Sequence, residues 1–204
     1  GFAPLHVQVG NELNACNEWQ CSGPSSTSMS SAQMAAEVAG FVGDVAAAIA
    51  IQPDGVLLSP GPGRPEASGI VCDAIGAFAD VATPVFGVCL GHQAIGIAAG
   101  WPLIHSPSGP VHGTPVECQH NGEGLFSNLL EINMTRYNSL TLLSSDNRND
   151  SSVIIDATDA TKSLVLAIRS KTHPVFGVQF HPESVGSQSG TLILDAFLNY
   201  QAHG

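Results

Sequence analysis

The sequence predicts an α/β fold, an open, mostly parallel sheet with helices on both faces. Three observations carry that prediction. Apolar runs without polar alternation occur at 55–59, 84–88 and 175–180, the mark of strands buried on both faces. Longer Ala-rich stretches carry apolar residues three and four apart, which is helical spacing. The first two of these strands are each followed by such a helix, an order that builds parallel strands under a helical cover. Of the 204 residues, 44% are hydrophobic and only 11% charged, enough apolar mass for a sizeable core and too little charge for a disordered chain.

Along the chain, Leu5–Val9 reads as a first strand, and 14–31 as a polar, Ser-rich loop. Ala32–Ile51 follows as a helix, with Met34, Val38, Phe41, Val45 and Ile49 on one face. Gly55–Ser59 is a buried strand that ends in Pro60-Gly61-Pro62-Gly63, where no helix can start at once. Ala67–Val81 is the next helix, Pro84–Val88 the next strand, and the helix Leu90–Ala99 follows it directly. From Pro102 to Ser145 the chain is denser in Pro, Gly, His and Asn, predicting short strands and loops. Ser152–Asp156, Ser163–Ile168 and Val175–Phe180 are further strands, and Gly190–Tyr200 is a closing helix. The whole of 1–204 reads as one domain, with 1–31 its atypical part.

Six Lys and Arg stand against seventeen Asp and Glu, a net charge of −11. That balance argues against a nucleic-acid partner, which needs clustered cations. Apolar runs such as Val45–Ile51 fall far short of the ~20 residues a bilayer requires, so no membrane is expected. The segment Gly1–Gly10 lacks the basic and apolar regions of a secretory signal. Five cysteines, odd in number and without a CxxC pair, fit a reducing compartment. The expected location is the cytoplasm, or a plastid for a plant or algal chain.

The chemistry concentrates at Gly87-Val88-Cys89-Leu90-Gly91, where an apolar strand meets a helix. Glycines two before and two after a nucleophile permit the sharp turn that lifts its side chain above the strand ends. The helix N-terminus offers positive potential beside the sulfur, and the Leu90 amide can bond an oxyanion. A Cys nucleophile needs a base, and a base needs an orienting group. His181-Pro182-Glu183 follows another apolar strand, and residues two apart on extended chain point the same way. Glu183 can therefore hold the imidazole while His181 faces the sulfur. His92 is the rival base, but it belongs to the helix after the elbow. The Pro60–Gly63 loop ends a further parallel strand, where ligands gather in open α/β sheets and where glycine lets backbone amides approach them.

Four segments, LSPGPGRPE (58–66), PVFGVCLGHQAIG (84–96), RYNSL (136–140) and PVFGVQFHPES (174–184), resemble a class I glutamine amidotransferase domain in order and spacing. The resemblance covers residues 54 to 200. Val111-His112-Gly113-Thr114 and Gly122–Phe126 resemble the branch that serves anthranilate and aminodeoxychorismate synthases. It implies hydrolysis of L-glutamine through a thioester on Cys89, with His181 moving the proton and Glu183 orienting it. It implies an oxyanion held by the amides of Leu90 and Gly61, within the Gly61-Pro62-Gly63 loop, and a substrate held by Gln93, Ser139 and Leu140. Ammonia would pass to a chorismate-using synthase, present as a separate chain or a fused domain. The resemblance implies no cofactor and no metal in the glutaminase half, the Mg²⁺ of such systems residing in the synthase.

Two departures stand out. Where the family has Asp-Asn-x-Asp-Ser-Phe-Thr after its first strand, this chain has Gly10-Asn11-Glu12-Leu13-Asn14. Where the family has Arg-Tyr-His-Ser-Leu, Asn138 replaces the histidine, and Asn cannot titrate near neutral pH. Two other readings fit the same motifs: an amidotransferase paired with GMP or carbamoyl phosphate synthetase, and a catalytically idle module of the same fold. The product, whether anthranilate, aminodeoxychorismate or an isochorismate-derived amine, is not fixed by these residues.

Overall fold

The computed structural model describes residues 5–7, 45–127, 129–130, 132–143 and 152–201. The loop expected at 14–31, most of the helix expected at 32–51 and nearly all of the atypical N-terminal region lie outside these residues. One sheet of eight strands organises the rest, in the order β1-β2-β3-β10-β9-β8-β5-β6. Its parallel half comprises β1 (Leu5–Val7), β2 (Val56–Leu58), β3 (Val85–Val88) and β10 (Val175–Val178). Its antiparallel half comprises β9 (Val165–Ser170), β8 (Val153–Asp159), β5 (Thr114–His120) and β6 (Ile132–Arg136). A separate pair, β4 (Leu103–His105) with β7 (Leu140–Leu142), is antiparallel.

The division follows from the connections. Parallel neighbours need a long crossover, and β2 reaches β3 through the helix α2 (Val71–Asp80). β8 turns into β9, and β9 into β10, with only a few residues between strands, and such short links return the chain antiparallel.

Helices cover both faces, as the buried strands demand. On one face α1 (Val45–Ala50), α2 and α3 (Leu90–Ala98) bring Ala48, Ile75, Phe78 and Ile95 against Val56, Leu58, Val85 and Val175. On the other, α4 (Gly190–Gln201) brings Ile193 and Phe197 against Phe86, Val88, Phe176 and Val178. The strict alternation of Val85 and Phe86 between these two clusters is the period of two of a strand buried on both sides. Each such side chain contributes roughly 1.5–3 kcal/mol on leaving water.

One helix boundary differs from expectation. The stretch expected as helix from Ala67 opens instead as a 3-10 turn, Pro65–Ala67, and α2 begins only at Val71. Gly69, at φ +63°, takes the left-handed backbone that separates the two.

Candidate active site

Cys89 stands between β3 and α3 with φ +51° and ψ −94°. That conformation costs a non-glycine residue about 1–3 kcal/mol and persists only where its surroundings enforce it. The enforcement is visible. The Cys89 amide donates to the Val178 carbonyl at 2.8 Å, fixing the turn to β10, and the Cys89 carbonyl accepts from the Gln93 amide at 3.0 Å, opening α3. A Cβ on Gly91 would lie 2.7 Å from the Leu58 carbonyl oxygen, and one on Gly87 would lie 2.5 Å from the Gly91 carbonyl carbon. Only glycine lets α3 start this close to β2 and β3. Leu90, the first residue of α3, has no intrahelical acceptor for its amide.

His181 enters the same space from the segment after β10. Its amide donates to Thr135 at 2.8 Å, and its carbonyl accepts from the Ser187 hydroxyl at 2.5 Å, tying the backbone to β6. Nδ1 meets Glu183 Oε1 at 2.6 Å, and the Tyr137 ring packs edge-on at 4.9 Å. The Tyr137 hydroxyl in turn lies 3.2 Å from the Ser184 hydroxyl. Burial works to lower the His181 pKa, but the Cys89 sulfur and the Glu183 carboxylate together raise it to about 9. The imidazole is thus a cation at neutral pH. Nε2 is buried without a formed hydrogen bond.

A chain of amides runs from the sulfur to a second strand pair. Gln179 Nε2 donates to Cys89 Sγ at 3.5 Å, and Gln93 Nε2 donates to Gln179 Oε1 at 3.1 Å. Gln93 Nε2 also donates to the Leu140 carbonyl at 3.1 Å, which Asn138 Nδ2 reaches at 2.8 Å. Asn138 is therefore a buried structural donor in place of a titratable ring. His181 meets Glu183 directly, and Gln93 meets Leu140 directly and reaches the Cys89 sulfur through Gln179. Gly61 is half-buried, and Pro62, Gly63 and Ser139 are exposed. The 60–63 loop leaves β2 next to the elbow, since Leu58 pairs with Gly87, and Gly63 adopts φ +79°.

His92 goes elsewhere. Its ring is fully buried next to Gly177, and burial pulls its pKa down to about 4 against the backbone of Gly177 and Val165, so it stays neutral. Gln179 is not among the residues the motifs single out, although a polar side chain inside the apolar run 175–180 must find partners.

Among the described residues, no group of three or more His, Cys, Asp or Glu could hold a metal ion, and no helix is long and apolar enough to cross a membrane. The family described as "Glutamine amidotransferase class-I" matches residues 28–200. The chain belongs to the class I glutamine amidotransferases.

Relatives of this amidotransferase chain carry two kinds of name. Anthranilate synthase component 2 of Azospirillum brasilense is 40% identical over 154 residues, 74% of this chain and 76% of that one. Bifunctional protein TrpGD of Thermotoga maritima is 39% identical over 150 residues, 73% of this chain but 25% of that protein. The amidotransferase chain thus spans a quarter of the bifunctional relative and three quarters of the shorter one. Among solved structures, a protein from Thermoplasma acidophilum assigned to GMP synthase superposes with a TM-score of 0.61 at 25% identity, covering 74% of this chain and 73% of that one. A glutamine amidotransferase from Thermotoga maritima shares the fold at a TM-score of 0.63 and 12% identity, covering 76% and 80%.

Proposed function

We propose that this chain, as one amidotransferase domain in the cytoplasm, hydrolyses L-glutamine and delivers ammonia to a chorismate-using synthase of the anthranilate or aminodeoxychorismate type. The observation that carries the reading is the convergence on Cys89 of a sterically enforced elbow and a cationic His181 held by Glu183. The Cys89 sulfur, as thiolate, attacks the side-chain carbonyl carbon of glutamine. The carbonyl electrons move to oxygen, which rests on the amides of Leu90 and Gly61. His181 Nε2–H gives its proton to the leaving nitrogen as the C–N bond breaks, releasing ammonia and leaving a thioester. Neutral His181 then takes a proton from water as that water attacks the thioester, and glutamate leaves with the sulfur restored. Glu183 fixes the ring and stabilises its charged form, while Gln93, Ser139 and Leu140, beside the Gly61-Pro62-Gly63 loop, receive the substrate.

The anthranilate-type assignment rests on relatives near 40% identity with that name, against 25% for the GMP-type structure. The test is steady-state glutamine hydrolysis by the pure chain, alone and with candidate synthases supplied with chorismate. Cys89→Ser should abolish glutamine-dependent synthesis and spare synthesis from added ammonia, because amination occurs on the partner. Equal loss of both would overturn the role of Cys89. Stimulation by a GMP-type synthetase and not by a chorismate-using one would overturn the partner.

A further inference from the structure

The mechanism leaves the buried side chain of Gln179 unused. Gln179 is wholly buried, and its neighbours Val178 and Phe180 both belong to the apolar cluster under α4. Its own side chain reaches Gln93 and Cys89 instead.

The direction of its amide can be deduced. The Leu140 carbonyl can only accept, so the Gln93 atom facing it is the NH₂ group. That same nitrogen faces Gln179, so the Gln179 atom facing it is the oxygen. The remaining end of the Gln179 amide, the NH₂ group, is then turned to Cys89 Sγ at 3.5 Å. Flipping either amide would set donor against donor or oxygen against oxygen, and in a buried chain such mismatches are costly. The Asn138 donor on the same carbonyl leaves the anchor in place. A fixed carbonyl on β7 therefore dictates, through two side chains, that the sulfur receives an N–H.

We infer that Gln179 is a positioning residue for Cys89: it holds the sulfur as a hydrogen-bond acceptor, in an orientation imposed by the Gln93–Leu140 chain. The inference rests on the glutaminase reading for its catalytic consequence, but not for the contact itself. A donor on sulfur favours thiolate over thiol. Because Gln93 and Leu140 are also expected to receive glutamine, substrate binding and sulfur ionisation share one hydrogen-bonded path.

The test is the pH dependence of Cys89 alkylation by iodoacetamide on the full chain, read by mass spectrometry of the Cys89 peptide. Replacing Gln179 by methionine keeps the volume and removes the donor. The alkylation midpoint should rise by about one pH unit, the scale of a hydrogen bond to a charged group. Glutaminase kcat should fall while KM changes little. Gln179→Glu, of the same shape, sets a carboxylate against the sulfur and should raise the midpoint further. Gln93→Met never touches the sulfur but frees the Gln179 amide to turn, and should give a smaller rise in the same direction. That variant and Gln179→Glu decide the matter should Gln179→Met fail to fold. Unchanged midpoints in the folded variants overturn the inference. A wild-type chain that hydrolyses no glutamine with any synthase overturns the glutaminase reading instead, and leaves the alkylation result standing on its own.

Discussion

Cys89 and Cys118 are packed into the same apolar cluster and both are buried, at 7% and 2% exposure. The regions around them differ. Cys118 sits mid-strand in the antiparallel half, its thiol donating to the Val116 carbonyl at 3.8 Å, and burial pushes its pKa up to about 12. The Arg136 cation opposes that rise without cancelling it. Cys89 sits at the end of the parallel half, with an amide donor, a helix N-terminus and the His181 cation around its sulfur. Burial alone therefore does not decide a thiol's fate. What differs between the two is the set of groups the fold brings to the sulfur.

The largest effect that tests this contrast is covalent. A glutamine-analogue electrophile should label Cys89 to completion and leave Cys72 and Cys118 untouched, by peptide mapping. Cys89→Ala should have no glutaminase activity, whereas Cys118→Ala should retain it and lose only some thermal stability. Preferential labelling of Cys118 would break the comparison.

Next come the groups that make the Cys89 region different. His181→Ala should lower glutamine turnover by ~10²–10⁴-fold, the usual worth of a general acid–base group. Glu183→Ala should cost less, because the imidazole remains and only its orientation and charge are weakened. An inactive Glu183→Ala beside an active His181→Ala would reverse the assigned roles.

The two regions should also separate by pH. Asp156, in the antiparallel half, is held up to about 6 by burial, which outweighs Asn121 and Arg169, while His181 is held up to about 9. Both groups bind protons more tightly folded than unfolded, so both contribute stability at low pH that is lost as pH rises. For Asp156 the loss falls between its ordinary value of 3.8 and about 6, and for His181 between 6.5 and about 9. Each step is on the order of 3 kcal/mol. Urea midpoints measured across this range should show two successive declines, and Asp156→Asn should remove only the first.

The smallest effects concern glycine. Gly91→Ala drives a methyl into the Leu58 carbonyl and should cost about 1–3 kcal/mol of stability. Gly76 lies on the exposed side of α2 with nothing within 4 Å of its would-be Cβ. Gly76→Ala should therefore stabilise by up to about 1 kcal/mol, the helix-propensity difference. Equal melting shifts of the same sign in the two variants would remove the steric account of the elbow.

Much of this was legible in the chain. Gly87 and Gly91 around Cys89 announce the elbow because its steric demand is local, and 84–88 and 175–180 announce buried strands because both faces are apolar. The antiparallel half was less legible, since pairing direction there depends on connections shorter than a helix, and β5 and β6 are partly exposed and of mixed polarity. The start of α2 moved because Gly69 takes positive φ, a tertiary choice that the helical spacing of 67–81 does not report. Gln179 carried a weak signal, polarity inside an apolar run. Its partners, Cys89 and Gln93, lie about ninety residues away in sequence and become neighbours only in the sheet.

The position of β10 between β3 and β9 also sets when the molecule can first exist during synthesis. Among the described strands, the one that bridges the two halves is the last made. A nascent chain halted before Val175 holds β3 and β9 with no common neighbour, two fragments of sheet each with an open edge. It also lacks the Val178 carbonyl that pins Cys89. The ribosome therefore delivers Cys89 nearly ninety residues before the strand that fixes its conformation.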